Sequence, residues 1–340
     1  MSAISTTNGA SGTADLAGTW SSVAGSGTTG YRVWLDQPGS FDAEVATAIH
    51  HDFHLHPLVQ LPRLAQLAQA SWPKGLCRFM APGATEASPM EEAIRMRCPD
   101  GRRIDEVFRH IEEPGAWVAL YNVESDPAYK SFLDEVIEAA RPLLGRQQSG
   151  IFRICGYIFI SAPPSVTPFH IDRENNFWLQ LRGRKTITVW DRSDHEIVAP
   201  EAVERFLLTG SLEGVRLVDA YRARGREFES RTGDGVYFPC TSPHMTRSGT
   251  DWARPGDGVA VSIGVVFYTR QTLRHARVSL CNHEMRCRGW IPTPPGRNRL
   301  LDAVKEPVGA FFARRRKEWP ENTAWSYGPA AVEDGGAGGN

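Results

Sequence analysis

From Gly150 onward the apolar residues change from helical to strand periodicity, and this change restricts the fold more than any other feature of the chain. Apolar and polar residues alternate in many short segments, which are separated by turns bearing Gly, Pro and Asp. The predicted strands are 152–161, 167–172, 176–181, 185–190, 215–219, 226–230, 235–239 and 259–268. Many short strands joined by such turns are typical of a β-sandwich or barrel.

The flanking regions have a different character. Helical spacing of apolar residues predicts helices near 58–70, 128–144, 200–208 and 300–316, and residues 116–123 resemble a short strand. We therefore expect a β-rich domain over 31–290 with an N-terminal helical wrap, followed by a Pro-rich and helical segment over 291–330. Residues 1–30 are low in complexity and are predicted to be disordered, and 331–340 to form a flexible tail.

Composition excludes several function classes. The net charge is −1, so nothing in the overall balance favours nucleic acid or an anionic membrane as a partner. No apolar run approaches the roughly 20 residues that span a bilayer. Six scattered cysteines without a secretory leader do not suggest a disulfide framework. We expect a cytoplasmic protein that binds neither nucleic acid nor membranes.

A short motif within the predicted strands has the spacing of a metal site. His170 and Asp172 are two residues apart, so on a strand they project from the same face. The segment 233–244, which reads Gly-Asp-Gly-Val-Tyr-Phe-Pro-Cys-Thr-Ser-Pro-His, supplies His244 as a third candidate ligand. Two His and one carboxylate on one side of an ion form the facial triad of non-haem Fe(II) oxygenases.

Lys185 is one of only five lysines and follows Asp172 by 13 residues. The predicted strand places it on the same face as Ile187 and Val189. A strand lysine is more often an exposed edge residue, but beside a metal site an inward lysine would need an anion to offset its desolvation.

Three protein ligands leave three positions on an octahedral ion. A chelating 2-oxo acid would fill two of them and dioxygen the third. The distal carboxylate of 2-oxoglutarate would then need a cation, for which Lys185 is suited, and a hydroxyl, for which Thr167 is suited. Asn176 and Ser262 are further polar candidates around this co-substrate.

These residues carry a resemblance to a known family. The pattern Thr-Pro-x-His-x-Asp from Thr167, followed by Asn-Phe-x-x-Gln-x-x-Gly-x-Lys from Asn176, resembles the cupin-like JmjC branch of 2-oxoglutarate- and Fe(II)-dependent oxygenases. That branch includes asparaginyl hydroxylases and bacterial cupin-like proteins. Segments 53–58 and 117–127 are also similar to bacterial members, and the likeness covers roughly residues 53–305.

The resemblance implies a double-stranded β-helix, the jelly roll of cupin-like and JmjC proteins, as the core. It makes His170, Asp172 and His244 the catalytic iron ligands. It also implies that Lys185 and Thr167 hold the distal carboxylate of 2-oxoglutarate.

Asn176 matches a further contact to the co-substrate in the family. One departure lies on a late strand, where asparaginyl hydroxylases have Asn and this chain has Gly264, which leaves Ser262 as the candidate there. The carboxylate ligand Asp172 is intact, and this favours hydroxylation over halogenation.

The expected activity is hydroxylation of an unactivated C–H bond by Fe(II), 2-oxoglutarate and dioxygen. The resemblance favours an amino-acid side chain of a protein, a peptide or an amino-acid-derived natural product as the substrate. Two alternatives remain open: a non-catalytic cupin-like protein that binds metal and acts in regulation, and an interaction protein that forms a homodimer through its C-terminal helix.

Overall fold

A computed structural model describes residues 30–37, 39–145, 147–249 and 258–315. The predicted disorder of 1–30, the end of the C-terminal segment and the predicted tail at 331–340 lie outside the described residues, apart from Gly30. The described residues from Tyr31 onward belong to one compact unit. No helix among them is both long enough and apolar enough to cross a bilayer.

The helices and strands have the following bounds. The helices are α1 (Leu61–Ser71), α2 (Met90–Ala93), α3 (Ile104–Arg109), α4 (Pro127–Leu144), α5 (Pro200–Thr209), α6 (Arg270–Arg286) and α7 (Arg299–Ala313). The strands are β1 (Val33–Trp34), β2 (Thr47–His51), β3 (Cys77–Met80), β4 (Ile94–Arg95), β5 (Trp117–Leu120), β6 (Phe152–Ser161), β7 (Ser165–His170), β8 (Asn175–Arg182), β9 (Arg184–Val189), β10 (Arg226–Arg231), β11 (Asp234–Phe238), β12 (His244–Ser248) and β13 (Ala260–Tyr268).

The strands β6 to β13 form a jelly roll from two antiparallel sheets. The larger sheet contains β11, β8, β13 and β6 as successive neighbours, and the smaller sheet has the order β10, β9, β12, β7. Consecutive strands lie in opposite sheets, except for β9 and β10, which pair with each other within the smaller one. This order is that of a double-stranded β-helix, so the predicted fold class, mainly β with flanking helices, is confirmed.

The N-terminal region contributes strands as well as the predicted helices. β2 pairs with β11 at one side of the jelly roll, and β5 pairs with β6 at the other, so the larger sheet grows to nine strands. Helices α1 and α4 cover its outer face, where Leu64 and Phe132 join the same apolar core as Ile158 and Leu179. The helices therefore cover one side of the barrel from outside, and the functional polar residues can lie in its interior.

Side-chain alternation in β8 divides the core from the interior, as the sequence predicts. Phe177, Leu179 and Leu181 pack outward against the helices. Trp178 belongs instead to an inner cluster with Ile187 and other residues of β9, β10 and β11. One strand thus supplies both the packing that fixes the sheet and the residues that face the barrel interior.

Two of the predicted strands need correction. Residues 215–219 form no strand, because Val215 and Leu217 pack against the cluster around α5, and the chain then enters a 3-10 helix over Asp219–Arg224. The strand predicted at 167–172 lies at Ser165–His170 instead. Asp172 therefore follows the strand and is not part of it.

Candidate metal centre and its cavity

Strand pairing brings the three predicted ligands together. His170 is the last residue of β7, His244 is the first of β12, and the two are direct partners across the smaller sheet. Asp172 lies two residues beyond β7, where its carbonyl oxygen accepts a hydrogen bond of 2.8 Å from the backbone N–H of Thr241. The end of one strand and the start of its neighbour thus form one three-residue cluster.

The distances within this cluster suit a single ion. His170 Nε2 lies 3.9 Å from Asp172 Oδ1, and His244 Nε2 lies 3.4 Å from Asp172 Oδ2. One ligand atom from each residue lies within 4.8 Å of the others, and no other group of three potential ligands occurs in the part of the chain that the structure describes. Such separations are near those expected when each atom is about 2 Å from a shared ion.

Both imidazoles are held so that Nε2 points to this centre. His170 Nδ1 donates to the carbonyl of Pro168 at 2.7 Å, and His244 Nδ1 donates to the carbonyl of Ser242 at 3.0 Å. Burial, together with the neighbouring His170, lowers the pKa of His244 to about 4. A neutral ring with its Nδ1–H engaged presents the Nε2 lone pair to a metal, so the donor set fits a divalent cation.

The triad opens onto a cavity of about 420 Å³. Predicted co-substrate residues Thr167, Asn176 and Ser262 line the same cavity. Among the described residues, Asn176 Oδ1 and Ser262 Oγ are buried without a hydrogen-bond partner. Buried polar atoms are normally paired, so these two atoms indicate a site that receives a polar ligand.

A β-bulge explains how Thr167 reaches the cavity. His170 pairs with His244, whereas Thr167 pairs with Thr246, so three steps along β7 oppose two along β12. The extra residue places Thr167 and His170 on the same side of the sheet, although residues three apart on a regular strand face opposite ways. The bulge thus brings the hydroxyl to the metal side.

Lys185 is buried inside the barrel with only 2% of its surface exposed. It shares a strand face with Ile187 and Val189, which pack in the inner cluster, so the exposed-edge alternative does not hold. It is not among the residues that line the cavity. Burial lowers the pKa of its amine to about 7. No ion pair to this amine occurs within the described structure.

The departure at Gly264 has a local structural reason. A Cβ atom at this position would lie 3.2 Å from Asn176 Nδ2 and 3.3 Å from Asn176 Oδ1. The amide of Asn176 thus occupies the space beside this strand position. Ser262, two residues earlier on the same strand, supplies a hydroxyl to the cavity.

Several cavity residues could not be found from the sequence. Arg78, Tyr121, Tyr157, Phe159 and Trp178 all contribute to the wall. Arg78 belongs to β3, and Tyr121 follows β5, so both come from the N-terminal extension of the sheet. No local motif marks them, because they reach the site through sheet pairing.

Comparison with known proteins finds distant similarity to solved oxygenase structures. No protein-family model and no curated protein matches the chain. The X-ray structure of Escherichia coli ycfD is 14% identical, covering 86% of this chain and 70% of that one, with a TM-score of 0.44. YcfD, a ribosomal oxygenase from E. coli, in complex with cobalt and 2-oxoglutarate is also 14% identical, covering 86% of this chain and 69% of that one, with a TM-score of 0.43.

A third similar structure is SnoK, a non-haem α-ketoglutarate-dependent carbocyclase from nogalamycin biosynthesis. It is 16% identical, covering 66% of this chain and 79% of that one, with a TM-score of 0.36. Identities and TM-scores this low assign neither a substrate nor a reaction to this chain.

Proposed function

We propose that this chain is a 2-oxoglutarate- and Fe(II)-dependent dioxygenase that hydroxylates an unactivated C–H bond. The observation that carries the proposal is the convergence of His170, Asp172 and His244 at the wall of a partly polar cavity. These two imidazoles and one carboxylate would hold a divalent ion from one side and leave its other positions for ligands from the cavity. Fe(II) bound there would supply the activation of dioxygen as 2-oxoglutarate is converted to succinate and carbon dioxide.

Several residues around the metal centre would each contact a different part of 2-oxoglutarate. Thr167 and Asn176 would contact the co-substrate, which is supported by their position in the wall of the same cavity as the triad. Lys185 is a buried amine without an anion, and a carboxylate that reached it would provide the missing charge. Ser262 Oγ offers a further hydrogen bond.

The assay for this function follows the co-substrate and needs no knowledge of the substrate. Purified protein is incubated with Fe(II), 2-oxoglutarate and dioxygen, and succinate is measured with and without a chelator. A dioxygenase forms succinate only when Fe(II) and dioxygen are both present. A non-catalytic metal-binding protein, the alternative, would bind the ion and release no succinate.

The affinity for 2-oxoglutarate should depend on pH through Lys185. Because burial holds the pKa of this amine at about 7, the amine must take up a proton on binding a carboxylate above that pH. The dissociation constant should stay constant below about pH 7 and rise up to about tenfold per pH unit above it. Titration of the Mn(II)-loaded protein by calorimetry measures this. A dissociation constant that does not change between about pH 6 and 8.5 would contradict a role for Lys185.

For the substrate, we propose an amino-acid side chain of a protein, a peptide or an amino-acid-derived molecule. A cavity of about 420 Å³ falls within the range of small-molecule sites, which supports a substrate that inserts one side chain or one small body. Mass spectrometry of candidate peptides and amino acids after incubation would reveal the gain of one oxygen atom. We also propose a cytoplasmic location, which six free cysteines support.

We further propose that α7 mediates a homodimer. Its inner face is buried, whereas Leu300, Val304, Val308 and Phe311 form an exposed apolar stripe along the other side. Val304→Glu should shift the protein from dimer to monomer in sedimentation velocity, because a charge would enter the interface. Gln66→Glu, on an exposed face of α1, is the control. Equal masses for wild type and Val304→Glu would argue against this interface.

A further inference from the structure

A second cation without a carboxylate partner, Arg78, faces the cavity of the metal triad. Only 4% of its surface is exposed, and it lies on β3, where it pairs with Ala119 of β5. Its guanidinium lies over the ring of Tyr121, with Cζ 5.0 Å from the ring centroid. Tyr121 and Asp172 line the same cavity as Arg78.

The hydrogen bonds of Arg78 leave one edge of the guanidinium free. Nη1 donates to the carbonyls of Gly75 at 2.6 Å and of Cys77 at 2.9 Å. Nε and Nη2 form no hydrogen bond within the described ranges, and the Arg78 side chain lines the cavity. The Nε–Nη2 edge is one that binds a carboxylate through two parallel hydrogen bonds.

Arg78 forms no ion pair within the described residues. Glu91, which lines the same cavity, accepts a hydrogen bond of 2.7 Å from the backbone N–H of Leu212. A buried cation without an anion is costly. Burial also lowers the pKa of Arg78. Binding of an anionic ligand here would therefore offset the free-energy cost of burying this cation.

The cavity wall also has a large apolar part. Its apolar members are Met90, Ile94, Met96, Phe159 and Leu212. A ligand that fits such a wall has a hydrocarbon body and one negative group. The metal ligands lie in the same cavity, so that body would be held beside the reactive centre.

The two unpaired cations lie on different parts of the fold. Lys185 is on β9 in the smaller sheet, whereas Arg78 is on the N-terminal extension of the larger sheet and lines the cavity. Two separate cations suit two separate carboxylates. The co-substrate accounts for one of them, and the other is left for the substrate.

We propose that Arg78 binds the free carboxylate of the substrate, and that the substrate is a small acid with an apolar body, such as an N-acylated apolar amino acid or the C-terminal residue of a peptide. This inference rests on the proposed function, because it assumes that 2-oxoglutarate occupies the Lys185 end of the site. Arg78 is then a specificity-determining residue that orients the apolar body towards the metal.

The test compares acids with their amides. N-acetyl-L-leucine, N-acetyl-L-phenylalanine and the corresponding carboxamides are titrated into the protein loaded with Mn(II) and 2-oxoglutarate, and binding is followed by paramagnetic relaxation of the probe protons. The acids should bind at least about tenfold more tightly than the amides, because only they form the charge-assisted pair. Arg78→Gln should remove this preference and leave the affinity for 2-oxoglutarate unchanged. Arg95→Gln, an exposed arginine on β4, is the matched control.

Three results would overturn the proposal. These are equal binding of acids and amides by the wild type, no binding of any acid, and an Arg78→Gln variant that loses affinity for 2-oxoglutarate and keeps its preference for acids. The wild-type comparison needs no variant, and Arg78→Lys, which should retain part of the preference, replaces Arg78→Gln if that protein does not fold. Failure of the proposed function has a different signature, since the wild type would then bind no 2-oxoglutarate in the presence of Mn(II).

Discussion

Replacing Asp172 with Asn is expected to lower Fe(II)-dependent succinate formation by more than about 100-fold, since even residues that only support metal ligands typically contribute 10–100-fold. Asn has nearly the same shape as Asp but removes the only carboxylate of the cluster, leaving the imidazoles of His170 and His244. Fe(II) affinity should fall together with turnover. Anaerobic Fe(II) titration and the succinate assay measure the two effects.

The control for this variant is Asp219→Asn, which makes the same chemical change at an exposed side chain. It should retain wild-type turnover and metal affinity. Thermal unfolding of both variants shows whether each is folded. An Asp172→Asn protein with half of the wild-type rate would rule out Asp172 as a metal ligand.

Lys185→Met should have two opposite effects. It should weaken 2-oxoglutarate binding by about 100-fold or more, because breaking a buried ion pair typically costs about 3–5 kcal/mol. The same change should stabilise the ligand-free protein by about 1–4 kcal/mol, because it removes a buried charge that has no partner in the described structure. Calorimetric titration with 2-oxoglutarate and chemical unfolding measure the two effects.

The stabilising effect of Lys185→Met should depend on pH. The pKa of Lys185 is about 7 in the folded protein and 10.5 in a model peptide, so between these values the unfolded chain binds more protons than the folded one. Burial of the lysine therefore destabilises wild type fully below pH 7, and this penalty disappears as the pH rises towards 10.5. The advantage of the variant should shrink over the same range.

Lys130→Met, at an exposed lysine of α4, is the matched control and should change neither property beyond about 0.5 kcal/mol. A Lys185→Met protein that binds 2-oxoglutarate normally would remove Lys185 from the site. One that is also less stable than wild type would show that the amine has a structural role.

The features predicted correctly from the sequence depend on local patterns. Alternation in β8 assigns Phe177 and Trp178 to opposite faces, because side-chain direction on a strand reverses at every residue. His170 and Asp172 are close in sequence, so their proximity needs no knowledge of the fold. The position of His244 beside His170 depends on the pairing of β7 with β12, and the family resemblance supplied that assignment.

Other features depend on long-range pairing and could not be predicted. Arg78 reaches the cavity because β3 pairs with β5 and β5 with β6, which no local pattern encodes. The bulge in β7 that turns Thr167 inward is visible only once both strands are placed. Helix α6 is not predicted by the sequence pattern, because its buried residues include the polar Thr272, Ser279 and Asn282, which break the apolar periodicity.

The most direct measurement is anomalous diffraction from crystals of the wild-type protein grown without oxygen in the presence of Fe(II) and 2-oxoglutarate. We expect a single iron peak bonded to His170 Nε2, the Asp172 carboxylate and His244 Nε2, with one carboxylate of 2-oxoglutarate on the metal side and the other at Lys185 Nζ. Iron bound elsewhere, or 2-oxoglutarate absent from this cavity while Lys185 stays without an anion, would contradict the account.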